Sequence, residues 1–357
     1  MLGLRSRAHR HVAVTIARGL RTRPNQTSST IPLSAQPQQK PTSSKPRATN
    51  NIKGDADLKR RKEWHRKFGM YGAFAVALVM GAYCSRLAIT IYSAGNEDAA
   101  KDVSQQKDVA ERYNEIADNF DGDVNFSEWS MGILKHRKNI AKMCTGNVLE
   151  VSCGTGRNLG YYQLDDKDRA IKSLTFIDLS PQMVQVCKRK FLALRATRRA
   201  PKADPMEVRF VAGSALDEMP LAPDGKKYDT IVQTMGLCST ASPVELVVNM
   251  ARHLDLSNPD ARIILLEHGR SHYSWLNKVM DSSAQKHAEN YGCWYNRELN
   301  ELVSEAALQT GLEIVGTKRF DLGTTYLYEL RPGPHAVAKL ETIPAAPADG
   351  AHLNHRA

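Results

Sequence analysis

Two carboxylates and a glycine turn carry the clearest chemistry in this chain. Within "GNVLEVSCGTGRNLG", residues 146–160, Glu150 stands four positions before Gly154, and Asp178 follows Gly154 by 24. A side chain at Gly154 or Gly156 would hold a ligand off the main chain, so a Gly-x-Gly turn lets the backbone approach one closely. An acid some 20 residues further on, ending the second strand, is placed to accept hydrogen bonds from two ribose hydroxyls. The turn also fits a G-x-G-x-x-x-G dinucleotide loop. A nicotinamide enzyme, however, would not share the later segments "GSALDEMPL" and "YDTIVQTMGLCS", and the chain contains no Tyr-x-x-x-Lys pair.

The elements that must position these residues follow from periodicity. Six strand-like apolar runs, "NVLEVS", "SLTFIDLS", "VRFVAG", "YDTIVQT", "RIILLEHG" and "LEIVGTKRF", alternate with helix-like stretches such as "PQMVQVCKRKFLALRATRR" and "PVELVVNMARHL". This β-α repetition implies an α/β fold, a doubly wound, mainly parallel sheet with helices on both faces. Such sheets bind ligands beyond the carboxyl ends of their strands, where Glu150, Gly154 and Asp178 fall.

Charge is distributed unevenly. The net charge of +11 resides in the first 68 residues: residues 1–54 contribute +10 with no acid, residues 55–68 contribute +3, and the remainder carries −2. Bulk charge therefore gives the globular part no nucleic-acid signature. Six cysteines without a C-x-x-C pair predict isolated reduced thiols, with neither a metal site nor a disulfide framework.

The N-terminal third reads as an address, a linker and an anchor. Arg7, Arg10, Arg18 and Arg21 share one helical face, with Val12, Ile16 and Leu20 opposite. An Arg-rich, acid-free amphipathic start is the pattern of a mitochondrial transit peptide, assigned to 1–35. Residues 36–67 form an expected disordered basic linker. "FGMYGAFAVALVMGAYCS", from Phe68 to Ser85, is free of charge and predicts a transmembrane helix over 68–92. A buried helix of a soluble domain is the alternative. The flank before the span is +3 and "SAGNEDAAKDVS" after it is −2. This asymmetry leaves the N-terminus in the matrix and the C-terminal domain in the intermembrane space, with the matrix-facing arrangement as the open alternative. The tail, 333–357, is expected to be disordered.

"VLEVSCGTGRN", "FIDLSPQM", "GSALDEMPL", "YDTIVQTMGLCS" and "RIILLEHGRSHYSWLN" resemble, in order, the motifs of class I S-adenosylmethionine-dependent methyltransferases. "LEHGRS" with "GCWYNRE" is similar to the membrane-anchored methyltransferase-like group. Transit peptide and span together resemble its fungal mitochondrial inner-membrane OMS-type members. The resemblance implies a seven-stranded Rossmann-like sheet over 105–332 and S-adenosylmethionine as cofactor. It implies that Glu150 meets the methionine ammonium, directly or through water, and that Ser152, Cys153, Gly154, Thr155 and Gly156 line the methionine and ribose. Asp178 would take the ribose hydroxyls, Leu179 and Met183 would pack near the adenine, and Ser214 and Ala215 would border its edge. Gln233 would face the sulfonium. Two positions depart from the pattern: Ser152 replaces the usual first glycine, and Ser214 replaces a frequent acid.

Methyl transfer is an in-line displacement in which the protein mainly positions the partners; a base is needed only if the acceptor must lose a proton. His268 is a candidate base and Tyr113 a candidate cover, while Trp294 and Tyr295 are candidate walls of an acceptor pocket. Each also fits an ordinary structural role. The tether favours a lipid-soluble small molecule or a membrane-associated protein as acceptor, at the mitochondrial inner membrane, over nucleic acid. Protein partners are not specified. The rival class is a scaffold or assembly factor that keeps the fold without catalysis.

Overall fold

The computed structural model describes residues 52–92, 109–164, 170–197 and 206–344. The expected transit peptide, residues 36–51 of the linker and residues 345–357 of the tail lie outside the described residues.

Helix α1 runs from Ile52 to Tyr92. It contains a stretch, Ala56–Ile89, long and apolar enough to cross a membrane by length and composition. The helix starts well before the expected boundary at residue 68, so the linker expectation fails for residues 52–67. Leu58, Lys59, Arg60, Arg61, Lys62 and Glu63 are good helix formers. Asp57 also pairs with Arg60 one turn away at 3.0 Å, and Trp64 stacks on Phe68 at 5.3 Å.

In the part that follows, helices α2 (Ala110–Ile116), α3 (Phe120–Ser130) and α4 (Ile133–Met143) precede the sheet. The strands are β1 (Gly146–Val151), β2 (Ile171–Asp178), β3 (Glu207–Ala212), β4 (Thr230–Thr234), β5 (Arg262–His268), β6 (Leu312–Phe320) and β7 (Thr325–Pro332). Their spatial order is β3-β2-β1-β4-β5-β7-β6. β1 to β5 pair in parallel, whereas β7 lies antiparallel between β5 and β6. Helices α5 (Pro181–Thr197), α6 (Pro243–His253), α7 (Ser274–Tyr291), α8 (Leu299–Thr310) and α9 (Ala336–Thr342) follow or link them.

β1 and β4 are buried along their whole length, which is why they read as continuous apolar runs rather than alternating ones. Alternate side chains of each strand feed two cores. Val148, Val232, Ile264 and Leu266 belong with Ile140 of α4 and Phe191 of α5. Leu149, Val151, Ile231, Ile263 and Leu265 belong with Val247 and Met250 of α6 and Val303 of α8. The strand order reverses between β1 and β4, a switch point at which helices leave to opposite faces and a crevice opens.

Two further features depart from the sequence reading. β7 was not among the six apolar runs, although Tyr326, Tyr328 and Leu330 alternate along it as buried residues. The tail is not wholly disordered: residues 336–342 form α9. Ala336 is buried there against Gly311, where an added Cβ would come within 2.9 Å of the Ala336 Cα. Lys339 Nζ donates to the Leu308 carbonyl, fastening α9 to the end of α8.

Candidate functional site

The turn after β1 is left-handed at three alternate residues, with φ of 53° at Ser152, 54° at Gly154 and 75° at Gly156. Gly156 is required by packing, since a Cβ there would meet Cys187 Sγ and Leu159 Cδ1 at 2.6 Å. Gly154 is different: a Cβ would meet no protein atom within 4 Å, so the space above it is open. Ser152 holds a conformation that disfavours a side chain by about 1 kcal/mol. Its hydroxyl accepts from Gln233 Nε2 at 3.1 Å, a bond that the usual glycine could not make.

Asp178, at the end of β2, braces this turn. Its carboxylate accepts the Gly154 N–H at 2.8 Å and the Ser180 N–H at 2.9 Å. Burial pushes this carboxyl above its ordinary value, and the two backbone donors oppose that shift. Each oxygen keeps acceptor capacity for a further partner. The Ser180 hydroxyl accepts from the Met183 N–H at the start of α5 and donates to Asn114 on α2.

Helix α3 is strapped over the turn by charge. Asp121 accepts from Thr155 Oγ1 at 2.6 Å, Lys190 Nζ at 2.6 Å and Arg157 Nη1 at 3.1 Å. Glu128 receives Arg137 Nη2 on Oε1 and Arg157 Nη2 on Oε2, both at 2.7 Å, and Arg137 Nε also reaches Oε2 at 3.2 Å. Burial works against the charge on Asp121 and Glu128. Lys190, Thr155 and Arg157 around Asp121, and Arg137 and Arg157 around Glu128, outweigh it and hold both carboxyls below their ordinary values.

A cleft of about 1360 Å³ opens beyond the ends of β1, β2 and β4. Ser152, Cys153, Gly154, Thr155, Asp178, Leu179, Met183, Ser214 and Ala215 all line it, as do Tyr113, His268 and Tyr295. Every non-glycine residue with left-handed φ among the described residues, Ser152, Met235, Asp321 and Leu322, also lines it. Backbone strain of this kind collects at functional sites because the surroundings must hold it in place.

Four expected residues sit elsewhere. Glu150 does not line the cleft. Its carboxylate accepts from Asn158 Nδ2 at 3.0 Å and from the Tyr162 hydroxyl at 2.6 Å, and burial raises it to about 7. It thus supports Asn158, which accepts from Arg137, and Arg137 is the group at the wall. Gln233 is fully buried beneath Ser152 rather than facing the cleft, because its amide is used to hold the turn. Gly156 is covered by Cys187 and Leu159, and Trp294 lies off the wall with its backbone N–H donated to the Cys238 carbonyl. Nor are the thiols all isolated: Cys238 and Cys293 Sγ atoms lie 2.7 Å apart, brought together by the turn after β4 and the end of α7.

Sequence reasoning passed over Arg137, Glu128 and Glu267. Glu267 is buried and accepts the Gly236 and Leu237 N–H groups at 3.1 and 3.0 Å, fixing the strained Met235 turn. An acid inside the apolar run "RIILLEHG" is the signal that could have found it, since a buried charge must have partners.

On the other wall, the Tyr113 hydroxyl is 2.9 Å from Ser239 Oγ, and burial raises it well above its ordinary value. Burial and the neighbouring His287 lower His268 to about 4, so its imidazole is neutral.

The family model described as a methyltransferase domain matches residues 107–316. Methyltransferase OMS1, mitochondrial, of Saccharomyces cerevisiae is 38% identical over 231 residues, covering 62% of this chain and 45% of that protein. The chain thus spans less than half the length of that relative. Among solved structures, an O-methyltransferase family protein from Burkholderia thailandensis superposes with a TM-score of 0.45 at 14% identity, covering 63% of each chain. Magnesium protoporphyrin IX methyltransferase from Synechocystis PCC 6803 with bound SAM gives 0.36 at 14% identity, covering 56% of this chain and 76% of that one.

Proposed function

The chain belongs to the methyltransferase-domain family, and we propose that it transfers a methyl group from S-adenosylmethionine to a lipid-soluble or membrane-associated acceptor. One observation carries the reading. The open, left-handed turn at Gly154 and the Asp178 carboxylate that braces it meet at one cleft, at the switch point of the sheet. The residues fit the cofactor. The bare backbone at Gly154 admits close approach, and Asp178 keeps lone pairs for the ribose hydroxyls. Leu179 and Met183 offer apolar surface for an adenine, and Ser214 and Ala215 border its edge. Ser214 Oγ already accepts the Leu216 N–H at 3.1 Å, which leaves its proton for donation.

When bound, the cofactor supplies a methyl carbon activated by a sulfonium. The chain's contribution is to orient and enclose. The straps from Asp121 and Glu128 hold α3 over the turn, and the Tyr113–Ser239 contact closes the opposite wall. Excluding water in this way strengthens electrostatic contacts inside the site and prevents side reactions.

The expected address, residues 1–35, and the apolar helix support attachment to a mitochondrial membrane, as does the similarity to a yeast protein named as mitochondrial. We place the anchor in the inner membrane with the domain on the intermembrane-space side, from the charge asymmetry about the span. A tether of this kind favours acceptors that partition into the bilayer.

The reading is tested by incubating the purified full chain with methyl-tritiated S-adenosylmethionine and mitochondrial membrane extract. Label should enter the organic-extractable or membrane-protein fraction with the wild type. It should fall at least about 100-fold with Gly154→Val, whose side chain would occupy the open space above the turn. Equal labelling by both proteins, or no labelling by either, would contradict it.

A further inference from the structure

Beyond the half of the cleft that suits a nucleoside lies a second half with a different chemical character. Leu276, Met280, His287 and Tyr291 of α7 all line it. Their spacings of 4, 7 and 4 residues put them on one helical face, together with the buried Ala284. Tyr295, from the segment after α7, adds an aromatic wall: its ring lies 4.7 Å from that of His287, and Tyr291 lies 4.9 Å from the same imidazole. His268 reaches the cleft from the end of β5.

The polar groups on this wall are unequally used. The Tyr295 hydroxyl is engaged by Ser283 Oγ at 2.6 Å, and Tyr113 by Ser239. Arg137 is committed to Glu128, Asn158 and Thr234. The imidazoles of His268 and His287, by contrast, make no side-chain hydrogen bond to any described residue, although both residues line the cavity. Both rings are half-buried in the cleft wall, so their unpaired nitrogens stay open to a ligand that enters it.

We propose that this half of the cleft is the acceptor subsite, that it takes an uncharged, planar apolar molecule bearing a phenolic hydroxyl, and that His268 accepts the hydroxyl proton while His287 orients the ring. The proposal rests on the methyltransferase reading above. Among the described residues no uncommitted Lys or Arg lines this wall to recognise a phosphate or carboxylate, which argues for an uncharged acceptor. A phenol, with an ordinary acidity near that of tyrosine at ~10, is a far better match than an aliphatic alcohol. Its proton becomes much more acidic as the oxygen bonds the methyl carbon, so even the weakly basic His268 can take it in the course of transfer. In the step, a phenol oxygen lone pair forms the bond to the methyl carbon as the carbon–sulfur bond breaks and its electron pair goes to sulfur. The phenolic proton passes to the free ring nitrogen of His268 and then to solvent. Atoms and charge balance with one proton released per methyl transferred.

The test uses 2-naphthol and 2-methoxynaphthalene as probes of the full chain in detergent without cofactor, with probe fluorescence as readout. Wild type should bind both. His268→Phe, which keeps a flat ring but removes the acceptor nitrogen, should weaken 2-naphthol about 5- to 10-fold and leave 2-methoxynaphthalene within about twofold. Binding of S-adenosylhomocysteine, measured by calorimetry on the same samples, should be unchanged. Equal effects of His268→Phe on both probes, or no binding of either by wild type, overturns the subsite while the cofactor measurement stands. Loss of S-adenosylhomocysteine binding by wild type itself would instead remove the methyltransferase reading on which the subsite depends. As a second arm, methylation of an aliphatic alcohol or a thiol by wild type and His268→Phe at equal rates, with phenols untouched, assigns a different acceptor class and also overturns it.

Discussion

At Ser152 a hydroxyl offsets part of the strain that its own side chain creates. The residue sits at φ 53°, where glycine is at ease, and its Oγ takes the buried Gln233 amide at 3.1 Å. Removing only the hydroxyl keeps the strain and strands the amide. Ser152→Ala is therefore expected to lower unfolding free energy by about 1–2 kcal/mol in urea titrations. Ser152→Gly relieves the strain while losing the same bond, so its loss should be smaller. Equal losses would contradict this division of costs. The substitution of serine in the usual glycine position was visible in the sequence. Its use as an anchor for Gln233 was not, because the two are 81 positions apart and meet only through the β1–β4 pairing. Glu150 shows the same limit. Its place at the end of β1 could be read, but the direction of its side chain depends on Tyr162 and Asn158, which approach from the loop beyond the turn.

At the level of elements, the central parallel strands and the helices between them were legible because burial makes β1, β4 and β5 largely continuous apolar runs. β7 was harder to see, since it inserts antiparallel between β5 and β6 and its apolar run is broken by Glu329 and Arg331. The strap formed by α3 was also hidden: its acids Asp121 and Glu128 look like an ordinary solvated helix face until Arg137, Arg157 and Lys190 are brought under them. Glu128 receives two guanidinium groups in a mostly buried setting, its side chain 12% exposed and that of Arg137 5%. Breaking such a pair leaves a buried charge without its partner. Glu128→Ala should cost about 3 kcal/mol of stability, read as a lowered urea midpoint. Glu128→Gln, which keeps an acceptor oxygen for one arginine, should cost less. A loss under about 0.5 kcal/mol in the alanine variant would show that the strap is only a surface pairing.

At the level of the whole molecule, composition alone is misleading. The charge of +11 would suit a nucleic-acid binder, yet it lies ahead of and along the first turns of α1, while residues beyond 68 sum to −2. The single helix among the described residues with the length and composition of a span divides these two regions. With a C-terminal tag on the chain in isolated mitochondria, protease should remove the tag once the outer membrane alone is ruptured. Protection until the inner membrane is opened would place the domain in the matrix and reverse the assigned orientation.

The central claim is that the turn held by Asp178 binds S-adenosylmethionine. The measurement that bears on it most directly is calorimetric titration of the folded full chain with S-adenosylhomocysteine, with Asp178→Ala and Asp178→Asn alongside. Removing the carboxylate withdraws the ribose contacts and one brace of the Gly154 turn. The account predicts wild-type binding in the micromolar range, weakened about 100-fold or more in Asp178→Ala and less in Asp178→Asn, with each variant's circular dichroism unchanged. Heat-silent titration of a folded wild-type protein, or equal binding by all three, would contradict it and leave the non-catalytic scaffold as the better reading.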